Sequence, residues 1–298
     1  MGINSGRRIP MAVATHGEVK LPVELSTKEK TVKWIFDNVP SFILLIAGWE
    51  LIAMYVAEPA LFPRVGPIVY RAYEVIFVKF EDAPACILCV HIYHTAWRIM
   101  VGMAIATVAG ISIGIAMGRV AWFERLMVPI LSMLLPIPAL AWSPILVLWF
   151  GLGNTTMIFI TAFAAALPAI SSTWTGVKTV NPIWIRAARS MDARGMTLFW
   201  KVIFPGALPF ILSGIRIGLA RAWRAGIAGE IVAASDWGLG YSIFDSREDL
   251  DTAFMLVGIA CIALVGFMME KFIFEKLEKV TVVKWGMMEE VGGGTGAG

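Results

Sequence analysis

Charged side chains inside otherwise apolar stretches are the residues of this sequence with the clearest capacity for chemistry. Arg221, Arg224 and Glu230 lie in the stretch 207–234, and Glu50 lies in the stretch 40–56. A charge in a hydrocarbon layer is costly unless it is paired or hydrated. Two interpretations stay open for the arginines: they attract an anion in a watery passage, or they pair internally with Glu50 or Glu230.

Cysteine and histidine form a second candidate cluster, in the order Cys86, Cys89, His91 and His94. Thiolates and imidazoles bind zinc, but one unbroken helix cannot direct all four side chains at one ion. The alternative is an apolar lead into a membrane span, with a disulfide between the cysteines on the oxidising side of the membrane. The sequence favours the second interpretation, so no metal site is predicted.

Motifs for catalysis are missing from the sequence. It contains no Gly-xxxx-Gly-Lys-Ser/Thr loop for binding nucleotide phosphates. None of its 3 histidines belongs to a convincing Ser/His/Asp or Cys/His set. The chain is therefore predicted not to be an enzyme and to hold no cofactor of its own, so any energy from ATP must come from a partner.

Composition places the chain in a membrane. It is 58% hydrophobic and 16% charged, with a mean hydropathy of +0.75. Six stretches approach or exceed the length that crosses a bilayer, namely 40–56, 97–117, 127–150, 156–177, 207–234 and 252–269. Because lipid cannot satisfy free backbone groups, these spans must be helices. The predicted fold class is an all-α polytopic membrane protein with about six transmembrane helices.

The distribution of Lys and Arg predicts the orientation. The segments 1–39, 118–126, 178–206 and 270–298 together carry 17 of these residues, whereas 57–96 and 235–251 carry 4. Positive loops stay in the cytoplasm, so both termini and the insert 178–206 are predicted to be cytoplasmic. We expect an N-terminal tail at 1–31, a membrane domain at 32–285 and a flexible C-terminal tail at 286–298. The net charge of +3 reflects this topology and does not indicate nucleic-acid binding.

The stretch 127–150 is uncharged but interrupted by prolines. These are Pro129, Pro136, Pro138 and Pro144. Irregular backbone at membrane depth is tolerated only beside protein or a water-filled cavity. The two interpretations are a kinked packing helix and a segment that lines a passage, and the second makes Pro138, Trp142 and Ser143 candidate lining residues.

The stretch 207–234 has two different faces when it is drawn as a helix. Small residues fall on one side, namely Gly214, Gly218, Ala222, Ala225 and Gly229, which lets another helix approach closely. Arg216, Arg224 and Ser213 fall on the opposite side. Trp223 and Glu230 lie on the same stripe as Arg216, and Arg221 lies at the boundary between the two sides. Arg221, Trp223, Arg224 and Glu230 are therefore candidates for lining a passage. We expect Arg216 to reach the membrane surface and Arg98 to be paired.

Between two apolar spans lies a basic, helix-prone insert, 186–205. It is predicted to be a rigid surface helix over about 183–204, closed by Pro205. Such a helix at the membrane's edge is suited to contact by a soluble partner.

This insert resembles the cytoplasmic coupling motif of permease subunits in binding-protein-dependent ABC importers. That motif consists of Glu-Ala-Ala, then any three residues, Gly, any nine residues, and Ile-x-Leu-Pro. Ala187, Ala188, Val202, Phe204 and Pro205 stand at its spacing. The resemblance implies that the helix docks on an ATPase subunit. The residues that it assigns to this contact are Arg186, Ala187, Ala188, Arg189, Asp192, Gly195, Phe199 and Pro205.

Further segments are similar to one branch of that family, the nitrate/taurine/aliphatic-sulfonate/bicarbonate type. They are 94–98 (His-Thr-Ala-Trp-Arg), 114–118, 148–153, 222–230 and 238–241 (Gly-Leu-Gly-Tyr). The resemblance covers roughly residues 40–285, and the order and spacing of the segments make it specific.

Two positions depart from the coupling motif. Its Glu is Arg186 here and its Gly is Asp192. Reversing the charge at Arg186 alters the partner surface that the helix suits. Asp192 lies within reach of Arg189 for an ion pair, and Gly195 is expected to take over the helix-ending role of the missing Gly.

The resemblance implies a MetI-like permease fold and several partners. These are a second permease subunit, identical or different, two ATPase subunits that bind ATP and Mg, and a solute-binding protein docked near 237–251. The solute would be a small anion or zwitterion, such as nitrate, a sulfonate, taurine or bicarbonate. The location implied is the bacterial inner membrane, in contact with lipid. The alternatives are an ATP-independent secondary transporter that uses Glu50 and Glu230 for proton coupling, and a membrane scaffold that transports nothing.

Overall fold

The computed structural model describes residues 27–278 except 57, 59 and 78–85, with side chains from 40 to 272 in those ranges. All regular structure in this part of the chain is helical, as predicted. The α-helices are α1 (Thr27–Val56), α2 (Val65–Phe77), α3 (Ile87–Arg119), α4 (Ala121–Leu134), α5 (Ser143–Phe150), α6 (Asn154–Thr179), α7 (Pro182–Ser190), α8 (Gly195–Leu198), α9 (Phe204–Ala233), α10 (Leu239–Asp245) and α11 (Thr252–Glu278). The predicted C-terminal tail and most of the N-terminal tail lie outside the described residues.

Four of the predicted spans are confirmed as helices long and apolar enough to cross a membrane, namely α3, α6, α11 and the continuous helix Gly195–Ala233 that contains α9. The Pro-rich span is a bent pair, and α1 contains the shorter apolar stretch Pro40–Val56. The described residues fall into two compact units that part between Ile52 and Ala53. Apart from Glu50, every site residue treated below belongs to the second unit.

Helix α6 packs between α3 and α9 and forms the centre of the second unit. Glycines let both neighbours approach closely: a Cβ added to Gly110 would lie 2.5 Å from Cβ of Ala169, and one added to Gly214 would lie 2.6 Å from Cβ of Ser172. The small-residue face predicted for α9 is thus confirmed at Gly214. Tight contact between small residues is the usual means by which helices associate in lipid, where burial of apolar surface gives little driving force.

The Pro-rich span breaks between α4 and α5, which lie at 91° to each other. Pro136 and Pro138 follow α4 directly and have no N–H to continue its hydrogen-bond ladder. A 3₁₀ turn, Ala139–Trp142, then leads into α5, where Pro144 stands in the first turn and needs no hydrogen-bond partner. The prolines therefore break the span at one place instead of kinking it throughout.

Candidate functional site

A cavity of about 360 Å³ lies at the break in the Pro-rich span. The irregular segment 135–140 forms one wall, and α6 contributes Phe163, Ala164 and Leu167. Helix α9 completes it with Arg221, Arg224 and Ala225. The predicted lining role is therefore geometrically consistent for Pro138, Arg221 and Arg224. Ala225 also faces this cavity, although the sequence placed it on the small-residue packing face.

Arg221 and Arg224 lie deep in the apolar layer. At 1.5 Å per residue they are about 18 Å and 14 Å from the C-terminal end of α9, which is close to half the thickness of a ~30 Å hydrocarbon core. Both side chains are exposed, so the chain alone does not enclose them.

Within the described part of the chain, neither Arg221 nor Arg224 forms an ion pair. Nε of Arg224 donates a hydrogen bond to the carbonyl oxygen of Ala220, at 3.0 Å. Arg216, on the same helix, is paired instead: its Nη2 lies 3.1 Å from Oε1 of Glu270. Two cations near mid-membrane without a carboxylate require water or an anion beside them.

Three other predicted lining residues lie outside this cavity. Trp142 packs its ring against Phe163, 5.5 Å between centroids, and so stands behind the wall. Ser143 is buried, with 3% of its surface exposed. Trp223 lies in a second groove of about 390 Å³ between α9 and α11, which Arg216 also lines.

Glu230 is buried in a polar network and does not line the cavity. Its side chain is 1% exposed, and its Oε1 lies 3.0 Å from Nη1 of Arg98, whose side chain is 4% exposed. The hydroxyl of Thr95 donates to the carboxylate at 2.9 Å, and the backbone N–H of Gly240 donates at the same distance. Glu230 was predicted to line a passage, but in this structure α3 and the 238–240 turn cover this end of α9.

Arg98 extends the network to two more elements. Its Nε donates to Oδ1 of Asn154 at 2.7 Å, and its Nη1 also donates to the carbonyl oxygen of Trp237. Asn154 is the first residue of α6, so one guanidinium joins α3, α6, α9 and the turn after α9. The expectation that Arg98 is paired is confirmed.

The turn after α9 fits this network only with glycine at two positions. Gly238 has φ +155°, and a Cβ there would lie 2.5 Å from Cδ of Glu230. A Cβ on Gly240 would lie 2.3 Å from the carbonyl oxygen of Ile227. The N–H of Gly238 donates to Nδ1 of His91 at 3.0 Å, and the N–H of Leu239 donates to the Thr95 hydroxyl at 2.8 Å.

Four of the separate segments that resemble one family branch therefore meet in space. Thr95 and Arg98 come from 94–98, Glu230 from 222–230, and the glycines from 238–241, while the N–H of Gly153 donates to the carbonyl oxygen of Ala233 at 2.8 Å. Sequence reasoning missed the roles of His91, Thr95 and Asn154. The spacing of His91, Thr95 and Arg98, which places them on one helix face, is the signal that could have found the first two.

Glu50 belongs to α1, where its side chain is half-buried. It belongs to the first compact unit, which ends at Ile52.

The basic insert is two short helices rather than one. Helix α7 ends at Ser190, and Asp192 takes the left-handed conformation with φ +60°. The N–H of Ala193 donates to the carbonyl oxygen of Ala188 and that of Asp192 to Arg189, both at 3.0 Å, which is a Schellman cap. Asp192 itself thus ends the helix, and the expectation that Gly195 does so is wrong. Asp192 pairs with Arg194 at 3.0 Å instead of with Arg189.

Pro205 does not close the insert. After α8 the chain makes a π-helical turn, Phe199–Ile203, in which the N–H of Phe204 donates to the carbonyl oxygen of Phe199. This turn runs directly into α9, where Pro205 stands in the first turn. A proline has no N–H to donate to the preceding turn, and the chain passes this position with a π turn in place of a regular α turn. The second half of the insert is therefore an extension of α9.

Phe199 connects the insert to the body of the second unit. Its side chain is 5% exposed, and the guanidinium carbon of Arg119, the last residue of α3, lies 4.9 Å from its ring centroid. Arg186, Ala187 and Arg189 on α7 are exposed, as a contact surface for a soluble partner requires.

Apolar side chains on the insert are also exposed. Trp184, Met191, Met196 and Trp200 expose 54%, 84%, 65% and 57% of their surface. A compact group of exposed large apolar side chains among basic residues is typical of a protein contact surface.

The cysteine-histidine cluster is not a metal site in the described residues, where no group of His, Cys, Asp or Glu could hold an ion. Cys86 and Cys89 form a disulfide at the start of α3, which is the interpretation that the sequence favoured. His91 takes part in the network around Glu230, and His94 lies beside Trp237 with 6.4 Å between ring centroids.

Fold and site together define a helical membrane permease, and comparison with known proteins agrees. Residues 106–273 match the family described as "Binding-protein-dependent transport system inner membrane component". The chain belongs to this family, and it is therefore a multi-pass component of an ABC importer in the inner membrane.

Two characterised relatives and one solved structure show how far the similarity extends. The taurine transport system permease protein TauC of Escherichia coli is 36% identical over 76% of this chain and 82% of its own length. The nitrate import permease protein NrtB of Synechocystis is 26% identical over 77% and 83%. A chain of the MetNI methionine ABC transporter, in inward-facing conformations, aligns with a TM-score of 0.58 at 20% identity, covering 65% of this chain and 96% of that one. The last comparison confirms the predicted MetI-like fold.

Proposed function

We propose that this chain is the permease subunit of an ATP-driven importer for a small anionic or zwitterionic solute. The observation that carries the proposal is the cavity at the broken span, where Arg221 and Arg224 lie near mid-membrane without a carboxylate partner in the described chain. Its relatives include taurine and nitrate permeases, which supports taurine, another sulfonate or nitrate as the solute. Bicarbonate is a further candidate that rests on the sequence resemblance alone. These solutes carry at least one negative group that a guanidinium binds.

A second permease subunit would complete the route. The cavity is open in one chain, and exposed arginines at this depth need a watery enclosure. A copy or a close relative of this chain, placed against the exposed side of α9, would supply the other wall. A solute-binding protein would dock near 237–251 on the outer face and deliver the solute.

Energy would come from two ATPase subunits that bind ATP and Mg, while this chain itself hydrolyses nothing. Their contact surface would be the insert, with its exposed arginines and apolar side chains on α7 and α8. Movement of the insert would reach α3 through Phe199 and Arg119 and would turn the route outward. Both termini would lie in the cytoplasm with the insert.

The alternative of an ATP-independent transporter is not favoured. Its proton-coupling residues would be Glu50 and Glu230, but the carboxylate of Glu230 is enclosed and accepts hydrogen bonds from Arg98, Thr95 and Gly240. Membership of an importer family argues against it as well.

Uptake by the assembled transporter tests the proposed route. Proteoliposomes with the ATPase subunits and the binding protein should lose most uptake of labelled taurine or nitrate on Arg224→Ala, and Arg224→Lys should restore part of it. Arg216→Ala is the control and should keep uptake, because Arg216 is on the same helix but lies outside this cavity and is paired with Glu270. Unchanged uptake of every anion tested with Arg224→Ala would overturn the cationic route.

Co-purification tests the contact with the ATPase. A nucleotide-binding subunit should co-purify with the chain and be lost on Met191→Asp, which puts a charge on a side chain that is 84% exposed. The matched control is Leu250→Asp, at a residue 63% exposed on the other side of the membrane domain. Loss of the ATPase with both variants, or with neither, would contradict the assigned contact.

A further inference from the structure

Helix α2 exposes an uncharged, aromatic face. Val69, Tyr70, Tyr73 and Phe77 expose 62%, 65%, 58% and 69% of their surface. Their spacing places them along one side of the helix. We call this side the aromatic face of α2. In water, a surface helix would instead turn its polar residues outward.

The two charges of α2 are turned away from that face and paired. Nη1 of Arg71 lies 2.8 Å from Oε2 of Glu74, and its Nη2 lies 2.8 Å from Oδ2 of Asp251. The side chains of Arg71, Glu74 and Asp251 are 34%, 25% and 24% exposed. The helix therefore satisfies its charges against protein and presents only apolar and phenolic groups to its surroundings.

The position of α2 relative to the spans sets its depth. Val75, on the opposite side from the aromatic face, packs in one cluster with Leu88 of α3 and Phe254 of α11. These residues belong to the first turn of each span. Arg71 is tied to Asp251, the residue just before α11. Helix α2 thus packs against the ends of two spanning helices.

We propose that the aromatic face of α2 lies in the boundary between phospholipid headgroups and acyl chains, so that α2 is an interfacial membrane helix. Tyrosine suits this layer because its ring is apolar and its hydroxyl can reach the headgroups. Helix α11, on which α2 packs, also exposes large apolar side chains, with Leu264 and Phe267 59% and 62% exposed. A neighbouring helix that itself exposes apolar residues of a membrane span favours lipid over a soluble protein as the neighbour of α2.

Collision of a spin label with oxygen and with Ni(II)-EDDA tests this placement, because oxygen concentrates in lipid and the nickel complex in water. Tyr70→Cys and Tyr73→Cys would be labelled in a Cys261→Ser background and reconstituted in vesicles of phosphatidylethanolamine and phosphatidylglycerol. Asp249→Cys, in the outer turn, is the aqueous control, and Leu264→Cys, on α11, is the control in the apolar layer. Labelling without reductant leaves the disulfide closed, and the background chain shows any label that it takes up itself.

The ratio of oxygen to nickel collisions at Tyr70 and Tyr73 should be several-fold above that at Asp249 and no higher than that at Leu264. A ratio at both tyrosines equal to that at Asp249 would overturn the proposal and leave the face to a protein partner. Val69→Cys is a third, independent position in case either tyrosine variant fails to incorporate. The measurement needs neither transport nor ATP, so its outcome is separate from that of the proposed function.

Discussion

Removal of Arg98, which forms a buried ion pair, should destabilise the chain far more than removal of an arginine whose ion pair has the same N–O distance but is exposed. Arg98 and Glu230 are 4% and 1% exposed, so Arg98→Ala leaves a carboxylate in the interior without its cation. Breaking a buried pair by deleting one partner costs about 3–5 kcal/mol. The folded-to-unfolded ratio would then fall by roughly 100- to 4,000-fold, at about 1.4 kcal/mol for each factor of ten.

The matched control is Arg194→Ala. The Arg194–Asp192 pair has the same N–O distance as the Arg98–Glu230 pair, 3.0 Å, but its side chains are 83% and 86% exposed. Exposed pairs contribute about 0–1 kcal/mol because water screens both charges. The difference between the two variants therefore isolates the effect of burial.

The free energy of unfolding would be measured by reversible denaturation in mixed micelles, for the two single variants and for a double-mutant cycle. In the cycle, Arg98→Met and Glu230→Gln are made alone and together. Because the second change removes the charge that the first exposes, the double variant should lose less than the sum of the singles, with a coupling of about 0.5–3 kcal/mol.

Two results would refute the reasoning about the buried network. One is a loss for Arg98→Ala no larger than that for Arg194→Ala. The other is strict additivity in the cycle, which would mean that Arg98 and Glu230 do not depend on each other in the membrane domain.

Three further predictions concern backbone geometry, packing and titration. Asp192→Val should cost about 1–2 kcal/mol more than Asp192→Gly in thermal unfolding because a β-branched residue resists a φ of +60°; equal stability would contradict the cap. Gly110→Ala should cost about 1–3 kcal/mol by overpacking, whereas Gly48→Ala, with nothing within 4 Å of the added Cβ, should be neutral or stabilising; similar losses would contradict the close approach of α3 and α6. Burial and the nearby Asp245, Asp236 and Glu248 raise the pKa of Tyr241. In a pH titration, the phenolate absorbance that the native chain has and Tyr241→Phe lacks should therefore appear only above the pH range in which tyrosine ordinarily ionises. Its appearance within that pH range would contradict the raised pKa.

The apolar spans could be predicted from the sequence because their signal is local. A run of about 20 apolar residues is sufficient to identify a helix in lipid, and four such helices are present in the structure. The prolines likewise indicated that 127–150 is interrupted. The 91° angle between its halves was not predictable, since it depends on how α4 and α5 pack on the rest of the fold.

Polar side chains were harder to place because their partners are distant in the sequence. Arg98 and Glu230 are 132 residues apart. Helical periodicity gave the direction of Glu230 on α9 but not the element that covers it there. For Arg221 and Arg224 the same periodicity led to the cavity, because in the described chain that side of α9 borders open space instead of a tightly packed element.

The helix ends in the insert were predicted wrongly because Pro205 and Gly195 were each assigned only one of the structural roles that such residues can have. Pro205 was taken as a stop, although proline in a first turn is equally compatible with the start of a helix. Gly195 was preferred to Asp192 for the left-handed cap position. Both residues are in fact left-handed, with φ +55° and +60°, and the cap falls on the one that directly follows the end of α7.

The π-helical turn Phe199–Ile203 sets the angle, measured around the axis of α9, between the side chains of α8 and those of Arg221 and Arg224. A π turn holds one residue more than the α-helical turn that it replaces, and each residue of an α-helix turns the chain by about 100°. Deletion of a single residue from this turn would restore a regular helix and swing α8 around the axis of α9 by that angle, with Arg221 and Arg224 left in place. The orientation of the exposed side chains of α8 relative to Arg221 and Arg224 thus depends on the number of residues in this turn. An insertion or deletion here would change that orientation more than most substitutions would.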